Sequence, residues 1–205
     1  MKTLILVRHG QSEWNREGRI QGDTDCALSE LGRRQAALLR GRLETERLDA
    51  AFASTATRAL DTGRIALAHR LEIEAKDTLR EINLGAWEGE LVADLKRRFP
   101  RDTELWFTRP SRVAIDGAET LRSFRRRVTG ELNGILEAAD EDASVVVFAH
   151  GGVICSYLTG LLQLRLDDLW RFKIQNASIT KVIFPVSRPR IAVLNDTSHL
   201  DGAMS

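Results

Sequence analysis

Two apolar runs stand out in the order of hydrophobic and polar positions. Residues 4–7 read Leu4, Ile5, Leu6, Val7, and residues 145–149 read Val145, Val146, Val147, Phe148, Ala149. Short, mostly β-branched or bulky runs of this kind are how strands covered on both faces of a sheet read, so the two are expected to be neighbouring central strands. Shorter strand candidates are 50–53 and 71–75. Residues 178–184 and 191–194, separated by Pro185 and Pro189, have the form of a late hairpin that pairs antiparallel at one edge. Between the strands the period changes. Leu121, Phe124, Val128, Leu132, Ile135, Leu136 and Ala139 recur at spacings of three and four, so 120–140 reads as one long amphipathic helix. Ser29 is placed to cap a second helix carrying Leu31, Leu38, Leu39 and Leu43, while Leu60, Gly63, Leu67 and Leu71 share a face of a third. Strands alternating with helices predict an α/β fold. The expected form is a three-layer sandwich, its mostly parallel central sheet flanked by helices on both faces, with one antiparallel edge strand. Residues 100–117 follow neither period. They hold Trp106, Phe107, Pro110 and Arg112, as a surface excursion overhanging a site would.

Composition narrows the class. The chain has 205 residues, 43% of them hydrophobic and 29% charged, which suits one globular domain over 1–205, with 82–119 its partly irregular excursion. The net charge is +1, so neither nucleic acid nor an acidic membrane is expected as a partner. No apolar run approaches the about 20 residues of a membrane span or the roughly 7 to 15 of a signal core, and a cytoplasmic location is expected. Cys26 and Cys155 lie far apart without metal-ligand spacing and read as reduced thiols. Residues 96–127 carry ten Lys+Arg against four Asp+Glu. Solvated helix faces explain this best, since Arg125, Arg126 and Arg127 are consecutive and point in different directions, with attraction of a phosphorylated substrate as the alternative.

Candidate chemistry collects at strand ends, where open α/β sheets bind ligands. The first strand runs into Arg8-His9-Gly10, the run ending at Ala149 runs into His150-Gly151-Gly152, and the candidate ending at Ala53 is followed by Ser54 and Arg58. Two histidines and two arginines are therefore expected at one edge of the sheet. A phosphate dianion suits that set. Arginine offers planar donors matching two phosphate oxygens and stays charged, and the glycines after each histidine let backbone N–H groups approach the anion. One histidine could attack phosphorus while the other donates to an oxygen. A metal site of two histidines and a carboxylate is the obvious rival, but adjacent arginines would repel a divalent cation. The rival phosphate chemistries find no support. There is no Gly-Lys pair for a nucleotide-binding loop, no arginine six residues after either cysteine, and Asp23-Thr24-Asp25 follows no apolar strand. His69 and His199 read as structural or surface groups, with a weaker claim for His199 because the tail could fold back.

At this point the chain resembles the histidine phosphatase superfamily, the phosphoglycerate mutase-like family, nearly from end to end. The matching segments are Arg8-His9-Gly10, Asn15, Gly18-Arg19-Ile20-Gln21-Gly22, Leu28-Ser29-Glu30-Leu31-Gly32 with Gln35-Ala36, Ser54 to Arg58-Ala59 and Arg80-Glu81-Ile82. They continue through Gly85-Ala86-Trp87-Glu88-Gly89, Gly117-Ala118-Glu119-Thr120, Ala149-His150-Gly151-Gly152, Asn176-Ala177-Ser178-Ile179 and Leu194-Asn195-Asp196. Departures are Ala27, where proline is common, and Leu84, where an aromatic is common.

The resemblance implies a nucleophilic His9 and a phosphate pocket of Arg8, Arg58 and His150, with Asn15, Gln21, Gly22 and the Gly151 amide as further phosphate or substrate contacts. Glu81 would protonate the leaving oxygen and later take a proton from water. Apart from the resemblance, a salt bridge to Arg80 or another arginine would be the simpler reading of Glu81. Trp87-Glu88-Gly89 reads as structural or pocket-lining. The implied activity is metal-independent hydrolysis of a small phosphorylated metabolite through a phosphohistidine, with no cofactor, by a monomer or homodimer. The stretch between Glu81 and the long helix is shorter than in the family's mutases, and its start resembles the α-ribazole and broad-specificity phosphatase branches. That favours water as acceptor, with a cofactor-dependent phosphoglycerate mutase as the alternative.

Overall fold

The side chains of β1 (Lys2–Arg8) alternate between two cores. Leu4 and Leu6 pack with one set of helices, Ile5 and Val7 with another, as the two-residue period of a strand requires of a sheet covered on both faces. The computed structural model describes residues 1–201. Its sheet has six strands in the order β3-β2-β4-β1-β5-β6, with β2 (Ala50–Ser54), β3 (Ile73–Lys76), β4 (Ser144–Ala149), β5 (Ile179–Phe184) and β6 (Arg190–Asp196). The two apolar runs are central neighbours, β4 being buried at every position. The late hairpin lies at one edge, antiparallel as expected. Within it β5 runs against β1 while β6, reversed once more, runs with the other four.

One face is covered by α6 (Leu121–Ala138) and α7 (Gly151–Leu161), the other by α2 (Glu30–Glu44) and α3 (Thr57–Leu67). The stripe of α6 buries Phe124, Val128 and Leu132 completely. Truncating a buried ring such as Phe124 costs about 3–5 kcal/mol in typical cores, so this face alone carries a large part of a domain's net stability. Thr120 and Ser29 cap α6 and α2 by accepting from the Ser123 and Gly32 amides at 3.2 and 3.0 Å, each cap contributing about 1 kcal/mol. The third helix is shorter than its apolar spacing predicts. It stops at Leu67 because Ala68 and His69 take left-handed conformations, φ 46° and 67°, and Leu71 falls in the turn before β3. The tail folds back, Leu200 packing with Leu39 and Leu43 of α2. A short α1 (Glu13–Glu17) is closed by a capping box of Ser12 and Asn15.

Residues 100–117 are more ordered than their lack of periodicity predicts. They contain α5 (Pro100–Thr108), preceded by α4 (Val92–Arg98), and a 3-10 turn at Pro110–Arg112. Pro100 occupies the first turn of α5, where its missing N–H costs nothing, and the helix buries only Thr103 and Trp106, too few positions to show a period. The basic excess of 96–127 is also only partly solvated. Arg126 is exposed, but Arg125 donates to the Leu164 and Arg165 carbonyls, and Arg127 to those of Thr78, Arg80 and Glu81. Among the described residues no helix is long and apolar enough to cross a membrane.

Candidate active site

Parallel register assembles the site. β1 and β4 pair with Arg8 beside Ala149, so the next residue of each, His9 and His150, emerges at the same carboxyl edge, their rings edge-on with centroids 5.2 Å apart. β2 pairs with β4 on its other side, which brings Ser54 to His150 and starts α3 with Arg58 in its first turn. A cavity of about 300 Å³ opens there, lined by Arg8, His9, Asn15, Gln21, Arg58, Glu81 and Gly151 among others. His150 lies fully buried behind its wall.

Hydrogen bonding and burial act on both histidines. His9 Nδ1 is 2.7 Å from the Gly10 carbonyl, which can only accept, so the proton sits on Nδ1 and the lone pair on Nε2. Burial, then Arg58 and Arg8, holds His9 well below the usual 6.5 despite that bond. His150 is lowered by burial, Arg58, His9 and Arg8 in turn. Its Nε2 lies 2.9 Å from Ser54 Oγ, which itself accepts from the Ala56 amide. The other ring nitrogen, Nδ1, is buried without a partner.

Other donors are also left unsatisfied. Arg8 gives Nη1 to the Ile174 carbonyl at 2.6 Å, and Arg58 gives Nη1 and Nη2 to the Thr24 and Gly22 carbonyls at 3.0 and 2.8 Å. Both guanidinium Nε atoms, and Gln21 Nε2, are buried with no acceptor. Burial pulls Arg58 down to about 10, which still leaves it cationic at neutral pH. Asn15 Oδ1 accepts from the Ser12 amide and from Asn176, which turns its NH₂ group toward free donation. The Gly151 amide adds the positive end of α7. Gly22 does not line the cavity and acts through its carbonyl on Arg58.

Glu81 is buried beside this cluster. Its oxygens accept from the Ile82 and Gly152 amides at 3.0 and 2.8 Å, and burial raises its pKa against the pull of those bonds and of Arg58 and Arg8. Arg80 pairs with Asp23 instead. A β-carbon on Gly152 would lie 3.0 Å from the Glu81 carboxyl carbon and closer still to Oε1. Gly152→Ala is therefore expected to lower kcat/KM on alkyl phosphates at least about tenfold with a small change in Tm, because displacing a proton donor by under 1 Å suffices for such losses. Unchanged kinetics would show that Glu81 has room to move.

Several supporting residues carry no chemical signature in the sequence. Asn176 ties the His9 and Gly10 carbonyls to Asn15. Glu88 accepts from the Asp23, Thr24 and Leu84 amides at 2.7 to 2.8 Å; burial raises it, but these bonds and the Thr24 hydroxyl outweigh that, and it holds the turn whose carbonyls receive Arg58. Arg127 is clamped to Glu119 and holds the backbone before and at Glu81, hidden in the sequence by its arginine neighbours. His69 is exposed and His199 half-buried, neither lining the cavity. Cys26 and Cys155 are unpaired, and Cys155 lines the cavity.

The family model of the histidine phosphatase superfamily (branch 1) matches residues 4–197. The chain belongs to that superfamily. This branch 1 histidine phosphatase is 38% identical over 201 residues to phosphoserine phosphatase 1 of Hydrogenobacter thermophilus, covering 98% of this chain and 95% of the relative. It is 29% identical to a probable phosphoglycerate mutase of Yersinia pestis, covering 98% and 96%. A solved mycobacterial glucosyl-3-phosphoglycerate phosphatase, in complex with VO3, superposes with a TM-score of 0.89 at 29% identity, covering 96% of this branch 1 protein and all of that chain.

Proposed function

We propose that this single domain is a phosphomonoesterase that hydrolyses a small phosphorylated metabolite through a phosphohistidine on His9. The observation that carries it is the set of three buried side-chain nitrogens without acceptors, on Arg8, Gln21 and Arg58, that line the cavity together with His9. Buried unpaired donors are rare and costly, and a phosphate dianion would satisfy them together. The dianion would also offset the positive field that depresses the histidines. In the first step His9 Nε2 bonds to phosphorus as the ester P–O bond breaks, and protonated Glu81 gives its proton to the leaving oxygen. Water then attacks phosphorus, passes a proton to the Glu81 carboxylate, and the P–N bond breaks to release phosphate. Arg8 and Arg58 neutralise charge on the equatorial oxygens throughout.

The mutase reading keeps one observation in its favour, the contribution of Trp106 and Phe107 of α5 to the cavity lining. Phe107 is 51% exposed, however, so this part of the lining is open to water. The deciding experiment is release of inorganic phosphate from a panel of phosphorylated metabolites. Steady release with poor interconversion of 2- and 3-phosphoglycerate is expected; efficient interconversion with little release, primed by the bisphosphate, would establish the mutase. Activity is also expected to survive a chelator and to be inhibited by vanadate, which adopts the five-coordinate geometry of phosphoryl transfer, because the positive charge comes from arginines. Loss to a chelator, restored by a divalent ion, would overturn the metal-independent reading. A cytoplasmic setting belongs to the same proposal, supported by two unpaired cysteines, and cell fractionation tests it.

A further inference from the structure

Glu81 sits in a stretch that has no regular structure of its own. It falls between 3-10 turns at Asp77–Leu79 and Gly85–Trp87, and residues 80–84 belong to neither a strand nor a helix. No ladder of hydrogen bonds fixes such a backbone, yet a misplacement of about 1 Å at a reacting group costs on the order of a hundredfold in rate. One side chain supplies the missing order. Arg127 of α6 gives Nη1 to the carbonyls of Thr78 and Arg80 at 2.9 and 2.7 Å, and Nη2 to that of Glu81 at 3.0 Å. Its remaining N–H groups go to Glu119, Nε to Oε1 at 3.0 Å and Nη2 to Oε2 at 2.7 Å, so all five donors of the guanidinium are engaged. Glu119 takes a further carbonyl of the same stretch, its amide donating to that of Asn83 at 2.9 Å. The guanidinium also lies over the buried ring of Phe124, with Cζ 4.9 Å from the ring centroid. The acid is thus gripped at both ends. The Ile82 and Gly152 amides hold its carboxyl group, and a planar fork, itself fixed by Glu119 and Phe124, holds its backbone. Neither Arg127 nor Glu119 lines the catalytic cavity, so what they do for the reaction passes through the residues they hold.

We propose that Arg127, locked by Glu119, is a positioning residue for the Glu81 proton donor, and that it sets how well the enzyme cleaves esters whose leaving oxygen needs a proton. The inference rests on the hydrolytic reading, in which Glu81 serves first the leaving group and then water. The contribution is geometric. Lysine at this position keeps the charge but offers three donors from a single nitrogen, which cannot span Glu119 and three carbonyls together.

The test is the dependence of kcat/KM on the leaving group, measured with ethyl, trifluoroethyl, phenyl and p-nitrophenyl phosphate. Arg127→Lys is expected to lower kcat/KM for ethyl phosphate about tenfold or more and to leave p-nitrophenyl phosphate within about threefold, so that the series steepens. Glu119→Gln keeps the shape of the clamp but loses an acceptor, and is expected to steepen the series in the same sense by less. Inhibition by vanadate should stay within about twofold of the wild type in both variants, because Arg8, Arg58 and His9 are untouched and distant sites act independently. A Glu81→Gln background gives the sharpest check. There, adding Arg127→Lys is expected to move the ratio of ethyl to p-nitrophenyl phosphate by less than about twofold, since residues that act through one group are not additive. Equal slowing of every ester, or a series unchanged in both variants, would make Arg127 a support of the fold alone and overturn the proposal. A full effect persisting in the Glu81→Gln background would overturn it as well. If Arg127→Lys does not fold, Glu119→Gln decides by the same ratio and the same background. No phosphate release from any ester by the wild type would overturn hydrolysis itself, and this proposal with it.

Discussion

His9→Ala is expected to leave a folded protein without turnover. The ring sits at the end of β1, on the cavity wall, and its side-chain bond goes to the neighbouring Gly10 carbonyl, so no element depends on it for packing. Its removal takes away the covalent route altogether. Losing the nucleophile of a concerted catalytic group costs on the order of 10⁴ to 10⁶ in kcat, and that is the loss expected here, with a Tm within a few degrees of the wild type. Wild-type enzyme quenched with labelled substrate should carry acid-labile, alkali-stable phosphate on His9. Label on Cys26, Cys155 or an aspartate would replace the mechanism with another. Cys155 is a poor rival on physical grounds, since burial first, and Glu81 next, push its thiol up to about 12. The pH profile supplies a second check. His9 attacks only when neutral, and its pKa lies well below 6.5, so the acid limb of kcat/KM due to this residue must fall below pH 6.5. A limb at or above 6.5 that His9 substitution explains would contradict the burial argument.

Glu81→Gln is expected to slow alkyl phosphates by about 10²–10⁴-fold, the usual worth of general acid–base help, while p-nitrophenyl phosphate, whose leaving group needs little protonation, suffers far less in its first step. Dephosphorylation still needs a base, so the activated ester should show a burst of p-nitrophenol followed by slow turnover. The sign of the pH effect follows from burial. Desolvation raises the Glu81 pKa above the ordinary 4.5, so the acid form needed for the first step persists to higher pH than an exposed glutamate would allow and is lost as pH rises through the raised value. For an alkyl phosphate, the wild-type kcat/KM therefore carries a basic limb from Glu81, and the Gln variant should lack it. Equal slowing of alkyl and activated esters, without a burst, would assign Glu81 a structural role.

Much of the frame is legible in the chain because it is local. The apolar runs at 4–7 and 145–149, the stripe of α6 and the cap at Ser29 each depend on residues within a turn or two of one another, and each forms as the pattern requires. Where local rules compete, the chain is less readable. Leu71 continues the apolar face of α3 by spacing, but left-handed Ala68 and His69 end the helix first. α5 shows too few buried positions to announce itself, since most of its surface faces solvent or the cavity instead of the main core.

The chemistry divides along the same line. By itself the sequence determined which residue types follow each strand, Arg8-His9, Ser54 to Arg58 and His150-Gly151, because a strand end is a local event. Tertiary structure decided what those residues can do. The register of β1, β4 and β2 sets His9 beside His150 and Ser54 against His150. The raised pKa of Glu81 exists only once the fold has excluded water from a carboxylate 71 residues from the amide of Gly152 that holds it. The cavity takes Trp106 and Phe107 together with Trp170 and Phe172 from distant parts of the chain, and Arg127 leaves a run of three arginines to grip the backbone at Glu81. Burial, dielectric and unpaired donors are properties of the volume that distant segments enclose together, and no window along the chain contains them.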